Sequence, residues 1–237
     1  MSRPQISYLR KVNSSSYPYV QVSSLQINSS DRHQFELLEC RPIRPNGVSV
    51  IVLSEIFGLT DYIRDVCKKF AHKGFYACSP ALYNRIGTRS FKYDEEQLAH
   101  KASTKLLDVS KSLLDIKATI EHAKQHGRVA IIGYSFGATL GWLSATQERD
   151  IFYFFGYYGN RIALNLDNKP LCDYDLVFGL KDHGYTKERA ELIDKSLPKE
   201  NVHLYDVEHG FDCHHRPATY NGKLSESIFE NIVSKLL

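Results

Sequence analysis

The chain has 237 residues, 43% of them hydrophobic, and its 30 basic and 27 acidic residues are mixed along its length to a net charge of +3. That is enough apolar material for one large core, while the balanced charge excludes the strong field of a nucleic-acid or membrane-surface protein. Five scattered cysteines with no Cys-x-x-Cys pair argue for reduced thiols over a disulfide framework, and the lack of a signal-peptide core or a bilayer-length apolar run leads to the expectation of a soluble, cytoplasmic protein.

In chain order, residues 1–18 read as a polar leader and residues 19–237 as one α/β domain. Strands over 19–27 and 34–40, separated by Asn28-Ser29-Ser30-Asp31, predict an antiparallel hairpin. The wholly apolar or small run 48–53 suits a strand covered on both faces, and a helix over 60–72 should stop at Lys73-Gly74. A short strand over 75–78 leads into Ser79-Pro80-Ala81-Leu82-Tyr83-Asn84-Arg85. Leu98, Ala102, Leu106, Val109, Leu113, Ile116, Ile120 and Ala123 then recur at helical spacing, which predicts one buried helix face with a break near Asp108 or Ser110. His100, Lys105, Glu121 and His122 fall between them and read as solvated surface.

Further on, strands are predicted over 129–133, 151–155, 174–180 and 201–205. Helices are predicted over 136–146, 186–195 and 224–237. This alternation predicts an α/β fold, a doubly wound and mostly parallel sheet with an antiparallel hairpin at its N-terminal end. Its site should lie at the carboxyl ends of the strands.

Gly133-Tyr134-Ser135-Phe136-Gly137 sits between a predicted strand and a predicted helix, as a G-x-S-x-G nucleophile elbow requires: the turn is sharp and tolerates only small neighbours. A serine hydroxyl needs a base, because it does not ionise unaided at neutral pH. In an α/β-hydrolase the acid and the histidine follow the serine in that order, in loops after later strands. Asp182 follows the strand ending at Leu180, and His209 follows the strand ending at Tyr205. His183, His214 and His215 compete for the role of base but lie at less suitable places. Asp212-Cys213-His214-His215 could suggest a metal site. Adjacent histidines usually diverge, however, and no second ligand pair stands at metal spacing, so neither metal nor cofactor is expected.

From about Val48 to the C-terminus the chain resembles the dienelactone hydrolase family. The resemblance rests on Ser54-Glu55-Ile56-Phe57-Gly58, Ala71-His72-Lys73-Gly74-Phe75, the elbow, Gly156-Tyr157-Tyr158-Gly159, Gly179 to Asp182 and Glu208-His209-Gly210-Phe211. It implies an oxyanion hole from the backbone N–H groups of Phe136 and Ile56, a glutamate at Glu55 approaching the nucleophile, and an arginine at Arg85 binding an acidic substrate. It also marks a departure, since the family's usual nucleophile is cysteine and here it is Ser135. The expected activity is hydrolysis of a small carboxylic ester or lactone, anionic if Arg85 serves it, through Ser135, His209 and Asp182. A thioesterase or acyltransferase would share these residues, and a binding protein on a hydrolase scaffold is the alternative from another class. Neither nucleic acid nor membrane is an expected partner.

Overall fold

The apolar runs of the sequence become strands with both faces covered. In β3 (Val48–Leu53) all six side chains are buried, and they alternate in what they meet. Val50 and Val52 join one cluster of the core, while Ile51 and Leu53 join the other. A period of two on a sheet covered by helices on both sides produces this split. The structure, a computed structural model, describes residues 20–237. The leader expected over 1–18, and Tyr19 of the first expected strand, lie outside the described residues.

The hairpin is β1 (Gln21–Asn28) and β2 (Gln34–Arg41), antiparallel, with Asn28 opposite Gln34 at the turn. β2 also runs antiparallel to β4 (Tyr76–Pro80). The remaining strands, β5 (Arg128–Tyr134), β6 (Ile151–Tyr157), β7 (Asp173–Gly179) and β8 (Val202–Tyr205), pair in parallel with each other and, through β3, with β4. The eight strands form one sheet in the order β1-β2-β4-β3-β5-β6-β7-β8. Helices α1 (Asp61–His72) and α6 (Gly222–Leu236) bury Ile63, Phe70, Ile228 and Ile232 in one half of the core. Helices α3 (Val109–Ala123), α4 (Phe136–Ala145) and α5 (Lys187–Ser196) bury Ile116, Leu140 and Ile193 in the other half. Each such side chain stabilises the fold by about 1.5–3 kcal/mol relative to exposure. The sheet is therefore doubly wound and mostly parallel with an antiparallel hairpin at its N-terminal end, the architecture expected from the alternation of elements.

The break expected near Asp108 is present, and the part of the helical run before it is corrected. The periodic run from Leu98 to Ala123 is divided into a short helix α2 (Glu96–Lys101), a π turn over Ala102–Leu106 and the separate α3. A π turn takes one more residue per turn than an α-helix, so the apolar stripe slips out of phase across it. Leu98 and Leu106 are consequently 56% and 55% exposed, while Leu107 takes the buried place. Leu107 is extended, and Asp108 then caps α3 by accepting from the Ser110 and Lys111 N–H groups at 2.9 and 3.3 Å. His100 is exposed as expected, on the rim of a cavity, whereas His122 is corrected: its Nε2 lies 3.1 Å from the Tyr76 hydroxyl and 3.3 Å from Glu39. All five cysteines are free, and no helix among the described residues is long and apolar enough to cross a membrane.

Candidate active site

β5 ends at Tyr134 and α4 begins at Phe136, so the whole reversal falls on Ser135. Its φ of 51° and ψ of −109° place an L-residue in a sparsely populated region. Two features hold it there. The Ser135 N–H donates to the Tyr157 carbonyl of the neighbouring strand at 2.8 Å, and the first turn of α4 is clamped against the sheet. A Cβ at Gly133 would meet Ala138 Cα at 2.6 Å, and one at Gly137 would meet the Leu53 carbonyl oxygen at 2.3 Å. Only glycine allows this approach, which lifts the Ser135 hydroxyl out at the carboxyl edge of the sheet.

The loops after β7 and β8 bring the other two residues to it. Asp182 sits in a turn closed by the Tyr185 N–H donating to the Asp182 carbonyl at 2.9 Å. His209 Nδ1 lies 2.6 Å from Asp182 Oδ2, and His209 Nε2 lies 3.0 Å from Ser135 Oγ. A carboxylate only accepts, so Nδ1 carries a proton and Nε2 faces the hydroxyl. Burial alone would raise the Asp182 carboxyl. The hydrogen bond and charge of His209, the Asn160 amide at 2.9 Å and the Gly184 N–H at 2.7 Å outweigh burial and hold it below the ordinary carboxylate range. The Tyr158 ring, fully buried and itself at φ 40°, packs 4.8 Å from the His209 ring.

Above Ser135 opens a cavity of about 460 Å³ whose wall includes Ile56, Phe136, Thr139, His209, Arg161 and Arg189. Thr139 Oγ1, the Tyr158 hydroxyl and Asn160 Oδ1 have no hydrogen-bond partner among the described residues, and all three residues line this cavity. Neither Asn160, Tyr158 nor Arg189 was singled out from sequence as a site residue. The positional signal for the first two is that they follow directly on β6, whose carboxyl end lies beside the elbow strand.

Glu55 lies at the end of β3 and does not cap α1, whose start has no side-chain cap. It is 2% exposed, and its Oε1 has no hydrogen-bond partner among the described residues. Burial, offset only partly by the charges of Arg216 and His209, pushes its pKa above the ordinary carboxylate value. A carboxyl raised in this way binds more protons in the folded chain than in the unfolded one. Its ionisation therefore costs stability as pH rises from the unfolded value through the folded one, and the cost persists above it. Glu55→Gln should accordingly raise the thermal midpoint at neutral pH and leave it little changed in acid below the ordinary carboxylate range. Melting curves across pH test this, and a midpoint that falls at neutral pH contradicts it.

Arg85 is corrected. It lies outside the cavity, and its guanidinium is fully engaged: Nε and Nη2 donate to Asp115 at 2.7 and 2.7 Å, and Nη1 and Nη2 donate to Asp31 at 2.8 and 3.1 Å. It ties the hairpin turn to α3. Burial raises the pKa of Asp115 despite the pairing, whereas the Arg85 hydrogen bonds hold Asp31 low. Side chains of Arg85 and Asp115 are 9% and 0% exposed, so Arg85→Met strands a buried carboxylate. The expected loss is roughly 3–5 kcal/mol of stability by denaturant unfolding, with KM for anionic and neutral substrates alike unchanged. Among the competing histidines His183 is exposed, while His214 and His215, expected to diverge, instead both approach Asp65.

A sequence profile of the Dienelactone hydrolase family matches residues 36–236. The carboxymethylenebutenolidase of Pseudomonas putida is 28% identical over 199 residues, covering 77% of this chain and 82% of that protein. A Klebsiella pneumoniae chain, crystallised as a candidate dienelactone hydrolase, superposes with a TM-score of 0.77 at 22% identity, over 91% of this chain and 98% of that one. A Xanthomonas campestris α/β serine hydrolase without a lid superposes with a TM-score of 0.65 at 13% identity, over 91% and 95%. The two structures share the fold, and the profile spans nearly every element from β2 to α6, elbow included. The chain belongs to the dienelactone hydrolase family and is a hydrolase of the α/β type.

Proposed function

We propose that this chain hydrolyses small carboxylic esters or lactones through an acyl-enzyme formed on Ser135. The observation that supports this most is the unbroken hydrogen-bonded series Ser135–His209–Asp182 at 3.0 and 2.6 Å. In the proposed route Ser135 Oγ attacks the carbonyl carbon as its proton passes to His209 Nε2. Asp182 keeps the ring oriented and stabilises the imidazolium that forms. The developing oxyanion is held by the N–H groups of Phe136 and Ile56, the first of which opens α4 and so adds the positive end of the helix dipole. Collapse breaks the ester bond, and the leaving oxygen takes the proton from His209. Water then attacks the acyl-enzyme by the same steps in reverse. A hydroxyl cannot store activation as a ready-formed anion as a thiol can, so this chemistry depends on all three side chains acting together.

The substrate class proposed is an acidic one, held by cations other than Arg85. Arg161 and Arg216 both line the cavity, and Arg189 stands there with its Nη1 donating to the Gly184 carbonyl at 2.6 Å. A guanidinium can hold a carboxylate through two parallel hydrogen bonds. The test is turnover of a panel of p-nitrophenyl esters, lactones and acyl thioesters, each with and without a carboxylate. Ester or lactone hydrolysis, faster for the acidic members, is expected. Turnover of thioesters alone moves the activity to the thioesterase class, and no turnover at all favours a non-catalytic scaffold.

A further inference from the structure

The loop that carries His209 continues through Asp212 to His215 and lies against α1. There the Tyr62 hydroxyl donates to Asp212 at 2.7 Å, and Cys213 Sγ contacts the Tyr93 hydroxyl at 3.3 Å. His214 and His215 are the two central residues of a turn closed by the Arg216 N–H donating to the Cys213 carbonyl at 2.9 Å. In a strand, adjacent side chains point to opposite faces, whereas the central residues of such a turn can project to one side. Both rings do so here, with centroids 4.5 Å apart. Tyr62 and Tyr220 flank the His214 ring at 5.6 and 6.2 Å, and Tyr93 lies 6.4 Å from that of His215.

We propose that Asp65, His214 and His215 form a site for a divalent transition-metal ion of the zinc, cobalt or nickel type, with water completing its coordination. The Nε2 atoms lie 3.4 and 3.7 Å from Asp65 Oδ2, and the ligand atoms of the three side chains all fall within 4.8 Å of one another. An N–H···O hydrogen bond would sit at about 2.9 Å. Donor atoms on a tetrahedral ion with bonds of about 2.0–2.1 Å are about 3.3–3.4 Å apart, which is closer to what is observed. Lys68 occupies the other oxygen, Oδ1, at 3.1 Å, which orients the carboxylate and leaves Oδ2 to the imidazoles. All three side chains are 35–43% exposed, so an ion can reach them. Two imidazoles and a carboxylate are a donor set that such ions prefer over magnesium or calcium.

A second cluster, Glu39, His122 and His126, also gathers ligand atoms, but its carboxylate is already committed. Glu39 Oε1 accepts from the Tyr76 hydroxyl at 2.7 Å and Arg41 Nη2 at 2.8 Å, and Oε2 accepts from Ser23 and Arg41 Nε at 3.3 and 3.4 Å, so both oxygens are taken, whereas the Lys68 ammonium on Asp65 leaves Oδ2 open. An ion at Asp65 would instead tie the His209 loop to α1 between positions 149 residues or more apart in sequence.

The test is titration of the chelator-treated full chain with Zn²⁺, read by calorimetry and by the thermal midpoint. The expected result is saturable binding of one ion per chain and a midpoint that rises with Zn²⁺, as for any ligand that binds only the folded state. Asp65→Asn and the double variant His214→Gln/His215→Gln should each weaken binding at least tenfold, while His122→Gln/His126→Gln leaves it unchanged. Asp65→Asn keeps both rings, so it answers the question even if the double variant folds poorly. Absence of saturable binding in the parent, or binding unchanged in Asp65→Asn, overturns the proposal. Loss confined to the His122/His126 variant places the ion at the other cluster and overturns it equally.

Discussion

Ser135→Ala should lower kcat on an ester by roughly three or more orders of magnitude, because the acyl-enzyme route has no other group to form the covalent bond. The proposed oxyanion donors and the cavity survive the change, so KM should move little and a residual rate above water should remain. Stability should hardly change. Alanine tolerates φ 51° no better than serine, but the strain is already part of the parent and the N–H bond to Tyr157 at 2.8 Å is kept. Activity retained within tenfold would remove Ser135 from the mechanism. A similar kcat loss accompanied by a collapsed melting transition would mean only that the elbow had unfolded, which is why both must be measured.

Asp182→Asn should cost kcat about as much, roughly three to four orders of magnitude near neutral pH, while leaving KM nearly intact. The reason lies in the donors around it. His209 Nδ1, the Asn160 amide at 2.9 Å and the Gly184 N–H at 2.7 Å all point at the Asp182 carboxylate. An asparagine offers one oxygen and one NH₂, so at least one donor meets another donor. If the NH₂ faces His209, the ring must turn to the tautomer whose proton lies toward Ser135, and it can no longer accept one. The same substitution alters acid stability. The Asp182 carboxyl is lowered in the folded chain, so its contribution is present above the unfolded value and is lost as pH falls through the folded one. Melting curves of Asp182→Asn should therefore lack part of the parent's acid limb. An Asp182→Asn chain with parental kcat would sink the assigned role.

What could be read from sequence differs in physical character from what could not. The elbow was legible because its demands are mostly local: β5, a turn of small residues and α4 are contiguous, and the 2.6 Å approach of Gly133 to Ala138 falls within that stretch. Asp182 and His209 were legible as positions because parallel strands deliver their following loops to one edge. Arg85 was misread because its partners, Asp115 and Asp31, lie 30 and 54 residues away, and no periodicity announces that two carboxylates will meet one guanidinium. The break expected near Asp108 is present, with Asp108 capping α3, but the π turn before it was not legible, and its extra residue shifts the phase and leaves Leu98 and Leu106 outside. His214 and His215 were judged by the usual divergence of neighbours. A hydrogen-bonded turn brought them together, and Asp65, far back in the chain, supplied the third group. Asn160 and Arg189 serve the site through side chains on loops and a helix start, where sequence shows position but not direction.

The central claim is that Ser135 is a nucleophile activated through His209. A fluorophosphonate probe tests it most directly, because phosphonylation of a serine requires the same proton transfer as attack on an ester. Intact mass should show one adduct per chain, peptide mapping should place it on Ser135, and His209→Gln should slow labelling by orders of magnitude. A folded parent chain that resists the probe under conditions that label a control esterase, or an adduct on any other residue, would contradict the account.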